Sequence, residues 1–207
     1  SVYGLNKKIP FSELHAIDHP ANLYGTSKFG NEQIAAAYHN IHGLKSVGLR
    51  FFTVYGPWGR PDMAVSLFTN KIENGETITL FNGGEMWRDF TFVDDIVQGI
   101  ELSMEYCADN AAVFNLGNSK PVKLGYFLEQ IEKRLGVKAK FKYQASNAEI
   151  KETYADVSKA HELLGYQPTT SIESGLDQFM AWYKKLDKRT RDEWAGGRFK
   201  AGRVRRL

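Results

Sequence analysis

From residue 20 to 42, Tyr24, Ser27, Lys28, Asn31, Ile34, Ala35 and Tyr38 recur at the three- and four-residue spacing of a helix with one continuous face. Gly43 ends that pattern, as a residue free to adopt the left-handed conformation after a helix does. Ser46 to Phe52 is a short β-prone run suited to a buried parallel strand, and Val113 to Leu116 is a second. Thr77 to Leu80 is β-prone as well. Helices are predicted at 64–73 and at 94–106, the latter opened by Asp94 as cap, with Asp95 favourable to the dipole in the first turn. Three more are predicted at 124–135, 158–164 and 171–186, with Gly136, Gly165 and Pro168 as punctuation. Val2-Tyr3-Gly4 reads as the end of a strand whose beginning is not present, the mark of a fragment. There are no internal repeats, and the alternation of helix and strand predicts an α/β sheet domain with a smaller lobe interleaved or appended.

Composition narrows the class without naming a function. With 207 residues, 43% hydrophobic and 25% charged, the chain has the make-up of an ordinary globular protein, and disorder throughout is excluded. No run approaches the roughly 18 apolar residues of a membrane helix, and the amino terminus lacks a secretory pattern, so no membrane partner and a cytoplasmic setting are expected. Cys107 is the only cysteine; an internal disulfide and a cysteine-rich zinc site are impossible, and a packing role is expected for it.

The formal charge of +3 gathers at the end of the chain, in Arg198, Lys200, Arg203, Arg205 and Arg206. Opened by Gly196-Gly197 and lacking apolar periodicity, that stretch reads as a disordered basic tail, set at 188–207, rather than a phosphate-binding arm, and no nucleic acid is implied. The five histidines are scattered, and His39 and His42 sit at a helix end where a cation is favoured anyway, so no metal site is expected. The four Trp and thirteen Phe read as core and pocket lining, since no basic groove interleaves them.

Chemistry is densest in Tyr24-Gly25-Thr26-Ser27-Lys28. A helix places residues four apart on one face, so a phenol and an ammonium at this spacing point the same way. An ordinary tyrosine, with a pKa of about 10, is no base at neutral pH, but a neighbouring ammonium favours the phenolate. On spacing alone, a solvated helix face and a general base with its tuning cation both remain open.

A longer pattern decides between them. Val2-Tyr3-Gly4, then Tyr24 and Lys28, then Leu49-Arg50-Phe51-Phe52-Thr53-Val54-Tyr55-Gly56-Pro57, then Arg88-Asp89-Phe90 with Asp94-Asp95, follow in the order seen in extended short-chain dehydrogenases. The chain resembles that family, the NAD-dependent epimerases and dehydratases, up to about Leu186. Phe51 to Ala64, with Trp58-Gly59-Arg60-Pro61-Asp62-Met63, looks most like UDP-glucuronate 4-epimerases.

The resemblance implies the carboxyl-terminal part of a Rossmann-type parallel sheet domain with an interleaved substrate-binding lobe. The boundaries expected are 1–56 and 86–117 for the sheet domain, and 57–85 and 118–187 for the lobe. It implies NAD as cofactor, a UDP-sugar as substrate, and epimerisation at carbon 4 of UDP-glucuronate through a 4-keto sugar. Tyr24 matches the catalytic tyrosine and Lys28 the lysine that binds the nicotinamide ribose; Phe51 is placed beside the cofactor. Ser1 stands where dehydratases and decarboxylases of the family usually carry a catalytic Glu, which argues for epimerisation; it is expected as a sugar contact or as a strand-end hydroxyl.

Thr53 replaces the Asn typical of galactose-type epimerases and leaves room near carbon 6 of the sugar. Arg60 suits a bidentate contact with a carboxylate or phosphate, or is a solvated loop charge. Arg88 matches the arginine on the nucleotide pyrophosphate. Phe81 resembles the family segment that lies against the uracil, or belongs to the core, and Glu149 falls where the family commonly shows an Asp contacting the nucleotide ribose.

The glycine-rich turn that binds the cofactor pyrophosphate in this family is not among these residues, so the chain alone is expected to bind NAD poorly and to be inactive. Two other functions stay open: a decarboxylase or 4,6-dehydratase of the same family, and a non-catalytic binding module. A second apolar face on the 20–42 helix, with Ile34, Ala36, Ala37 and Ile41, suits a two-fold dimer or packing within the monomer.

Overall fold

A computed structural model describes residues 1–106, 111–145 and 151–195. Along the chain run α1 (Leu23–His42), β1 (Ser46–Phe51), β2 (Thr53–Tyr55), α2 (Ala64–Glu73), β3 (Thr77–Phe81), β4 (Trp87–Arg88), β5 (Phe90–Phe92) and α3 (Val93–Met104). They are followed by β6 (Ala111–Leu116), β7 (Val122–Lys123), α4 (Leu124–Leu135), β8 (Lys140–Gln144), β9 (Glu152–Thr153), α5 (Ser158–Leu164), α6 (Ile172–Lys185) and α7 (Lys188–Ala195). The fold is mixed α/β, and the chain divides into two compact units.

The first unit comprises Ser1–Val54, Arg88–Pro121 and Glu152–Thr169. Its centre is the parallel pair β1 and β6, in register from Ser46 opposite Ala111 to Phe51 opposite Leu116. Ile96, Ala112, Phe114, Leu116, Ala160, Leu164 and Tyr166 form one buried cluster around this pair. Removing a side chain such as Phe114 or Leu116 from water is worth about 1.5–3 kcal/mol. Gly99 lets α3 close on the sheet, for a Cβ there would lie 2.6 Å from Leu116 Cδ1. The boundary expected at 118–187 for the lobe does not hold for α5, which sits in this unit. The cause is burial: Ala160, Leu164 and Tyr166 are apolar surface whose place is against Phe114 and Leu116.

The second unit comprises Tyr55–Trp87, Val122–Lys151 and Thr170–Leu207. Here β3 and β8 pair in parallel, Thr77 opposite Lys140 and Phe81 opposite Gln144. On α6, Leu176, Phe179, Met180 and Tyr183 are buried at helical spacing, and on α4 Phe127, Leu128 and Ile131. Ser171 caps α6 by accepting the Ser174 N–H at 3.2 Å, and Gly136 closes α4 at φ 69°.

Three local expectations are corrected. Residues 188–195, expected within a disordered tail, form α7, whose Trp194 is buried edge-on to Trp182 with ring centroids 5.5 Å apart. One large apolar side chain with a docking surface outweighs the polar composition around it. The remaining tail, 196–207, and Cys107 lie outside the described residues. Val2-Tyr3-Gly4 is a turn and not a strand end, closed by the Gly4 N–H to Ser1 O bond at 3.2 Å with Gly4 at φ 55°. Finally, Phe92 and not Asp94 precedes α3, and its side chain makes no capping bond.

Candidate active site

Tyr24 and Lys28 lie in the first turns of α1. The helix starts there because Asn22, in extended conformation, accepts the Gly25 N–H at 2.8 Å. Gly43, at φ 67°, ends it. Tyr24 is 58% exposed, and Lys28 Nζ stands 5.3 Å from the centre of its ring. The pair read from spacing is thus a pair in space, with the ammonium within cation–π range.

The structure also brings Ser1 to this helix. A Cβ on Gly25 would lie 2.6 Å from the Ser1 carbonyl oxygen, so only a residue without a side chain lets the turn at 1–4 reach the residue next to Tyr24. Phe51, at the end of β1, is 47% exposed.

Thr53 and Arg88, both half-buried, flank a centre that sequence reasoning did not assign, Asp89. Thr53 N–H donates to Asp89 O at 3.1 Å, and Asp89 N–H donates to Thr153 O at 3.0 Å. The Asp89 carboxylate is fully buried. Its Oδ1 accepts from Asn118 N at 2.7 Å and Thr91 Oγ1 at 3.1 Å. Its Oδ2 accepts from Ala155 N at 2.9 Å and Ser119 N at 3.1 Å. Burial pushes its pKa up, and these four donors offset only part of that cost. Asp95, read as dipole decoration, is buried too and accepts the Thr169 N–H at 3.0 Å.

In the second unit Arg60 is exposed, and its Nε donates to Asp62 Oδ1 at 3.1 Å, with a second contact from Nη2 to Oδ2. The fork expected to face a substrate anion therefore holds a carboxylate of its own loop, and Arg60 in turn keeps the Asp62 carboxyl below its usual range. Trp58 precedes it at φ 60°, edge-on to Trp182 at 5.2 Å. Phe81 closes β3, half-buried. Glu149 lies outside the described residues.

Glu32, Arg50 and Asn115 were also missed, and all three are in contact with the segments above. A signal existed for Glu32, which continues the four-residue spacing of Tyr24 and Lys28. Arg50 stood inside the Leu49 to Pro57 run, but its partners, like those of Asn115, are distant in sequence and left no local signal.

Among the described residues no group of three or more His, Cys, Asp or Glu could hold a metal ion. Among the same residues no helix is long and apolar enough to cross a membrane.

Residues 1–117 match the model of the NAD dependent epimerase/dehydratase family. An uncharacterised protein of Methanocaldococcus jannaschii is 50% identical over 184 residues, which is 88% of this chain and 56% of that protein. UDP-glucuronate 4-epimerase 1 of Arabidopsis thaliana is 44% identical over 200 residues, 88% of this chain and 47% of the plant protein. The chain therefore spans about half the length of these relatives. Among solved structures, UDP-glucuronic acid 4-epimerase from Bacillus cereus, in complex with UDP-glucuronic acid and NAD, superposes with a TM-score of 0.82 at 34% identity. That match covers 90% of this chain and 60% of the bacterial enzyme. With the tyrosine and lysine pair, the parallel sheet and these likenesses in agreement, the chain belongs to the NAD dependent epimerase/dehydratase family.

Proposed function

We propose that the whole protein interconverts UDP-glucuronate and UDP-galacturonate by NAD-dependent epimerisation at carbon 4. The observation that carries this reading is the exposed Tyr24 with Lys28 Nζ 5.3 Å from its ring centre. The residues present fit their share of a nicotinamide nucleotide: an exposed ammonium suited to ribose hydroxyls beside an exposed phenol. When bound, that cofactor accepts and returns the hydride, so there is no net redox change.

Tyr24 takes the proton of the sugar 4-hydroxyl and gives it back after the 4-keto sugar has turned, and Lys28 holds the ribose and favours the ionised phenol. Ser1 contacts the sugar, with a hydroxyl where an acid would be needed for dehydration. Thr53 leaves room for the carboxylate at carbon 6, and Arg88 neutralises the pyrophosphate. Arg60 serves the anionic substrate once it releases Asp62. Phe81 lies against the uracil, Phe51 lies beside the cofactor, and Glu149 is assigned to the nucleotide ribose. The first unit is the cofactor-binding domain and the second the substrate lobe.

Two protomers pair through α1, a proposal supported by the exposure of Ile34 at 58%, Tyr38 at 53% and Ile41 at 72%. Apolar surface of this kind on one helix is costly unless covered.

Product analysis on the whole protein with UDP-glucuronate and NAD tests the reaction. UDP-galacturonate is expected. Release of carbon dioxide, a dehydrated sugar, or no turnover would each overturn the assignment.

A further inference from the structure

Arg50, on β1, joins the helix that carries Tyr24 to the turn that carries Ser1. Its Nε and Nη2 donate to the two carboxylate oxygens of Glu32 on α1, at 2.8 and 2.7 Å. Its Nη1 donates to the Tyr3 hydroxyl at 2.9 Å. Tyr3 passes its own hydrogen on to Asn115 Oδ1 at 2.6 Å, and Asn115 Nδ2 donates to Phe11 O at 2.9 Å and Asp156 O at 3.1 Å. Tyr3, at 5% exposure, is packed on Phe11 with ring centres 4.7 Å apart, while the guanidinium lies 4.9 Å from the Tyr3 ring centre. The Arg50 and Glu32 side chains are only 9% and 14% exposed. Burial disfavours the Arg50 charge, but its bonds to Glu32 and Tyr3 prevail and hold it protonated, above the usual arginine range.

Contacts at two points along one side of a helix restrict its roll and its tilt together more than either contact does alone. On α1 one such contact is Gly25 against the Ser1 carbonyl, and another is Glu32 in the Arg50 fork. Seven residues separate them, about 10 Å of helix rise. Tyr24 and Lys28 lie within or beside the clamped span, and Glu32 is one turn beyond Lys28 on the same side.

We infer that Arg50, with Glu32 and Tyr3, is a positioning clamp that sets the roll of α1 and so the aim of Tyr24 and Lys28 relative to Ser1. None of the three need touch substrate. The inference rests on the epimerase reading above for its kinetic consequence, and on geometry alone for its mechanical one.

The test uses the whole protein and three variants. Arg50→Lys keeps the charge but cannot span both carboxylate oxygens and a phenol together. It is expected to lower kcat about 10- to 100-fold, the scale of a misplacement near 1 Å, with KM for UDP-glucuronate little changed. Glu32→Gln should do the same. Tyr3→Phe, which leaves the ion pair intact, should have a smaller effect in the same direction. Wild-type kcat in Arg50→Lys, even with a lower melting temperature, would make the network a fold-stabilising feature only and overturn the clamp.

Amide hydrogen exchange keeps the two readings apart. If the unsubstituted protein does not turn over UDP-glucuronate, the proposed function fails, yet Arg50→Lys should still speed exchange across α1 from Ser27 to Glu32. Unchanged exchange there would sink the clamp whatever the activity.

Discussion

Lys28 Nζ lies 5.3 Å from the centre of the Tyr24 ring, one helical turn along an α1 face that is open to solvent. Tyr24→Phe removes the only proton-transferring group in that pair while keeping its ring, so kcat of the whole protein should fall about 10²- to 10⁴-fold, the usual contribution of a positioned general base. Lys28→Met should depress kcat and also weaken NAD binding, measured by fluorescence titration. A Tyr24→Phe protein with wild-type turnover would remove the chemical basis of the reading.

Asp89 supplies the second prediction. Its buried carboxylate accepts from three main-chain N–H groups, of Asn118, Ser119 and Ala155, and Asp89→Ala would strand them. At about 1–3 kcal/mol for each buried donor left unpaired, a loss of several kcal/mol is expected, read as a shift in the denaturant midpoint. Gly117→Ala tests the same locus from the other side, for its Cβ would lie 2.6 Å from Asp89 Oδ2 and 2.7 Å from Ala155 Cβ. An overpacking cost of about 1–3 kcal/mol is expected there. Substitutions tolerated at both positions would show that the carboxylate does not organise the 117–119 and 155 segments.

Glu132 gives a prediction in pH. Burial works against its charge, but Lys138 Nζ at 2.7 Å and the Ala139 N–H at 2.8 Å prevail and hold its pKa below the ordinary 4.5. A depressed carboxyl pKa adds stability that is present above the unfolded value and is lost as pH falls through the folded one. Glu132→Gln should therefore melt at a lower temperature than the unsubstituted chain at pH 7, and the gap should narrow below pH of about 4. A gap independent of pH would show that the ionised carboxylate is not what holds the 136–139 turn.

Much of this was legible in the residues themselves, because its causes are local. The 3.6-residue spacing of α4 and α6, the left-handed glycines Gly43 and Gly136, and the placement of Tyr24 and Lys28 one turn apart depend only on neighbours in the chain. The β-prone runs at 46–52 and 113–116 likewise announced a parallel pair, and composition alone excluded a chain without a core. Tertiary structure decided whatever depends on partners far apart in sequence. It folded Val2-Tyr3-Gly4 into a turn against α1, drew α5 into the first unit through Tyr166, ordered 188–195 around Trp194, and gave Asp89, Arg50 and Asn115 their roles. A buried charge or amide must find donors wherever the fold brings them, over separations as large as the 112 residues between Tyr3 and Asn115. No local pattern records such a meeting, since its free energy comes from desolvation that exists only once the core has closed.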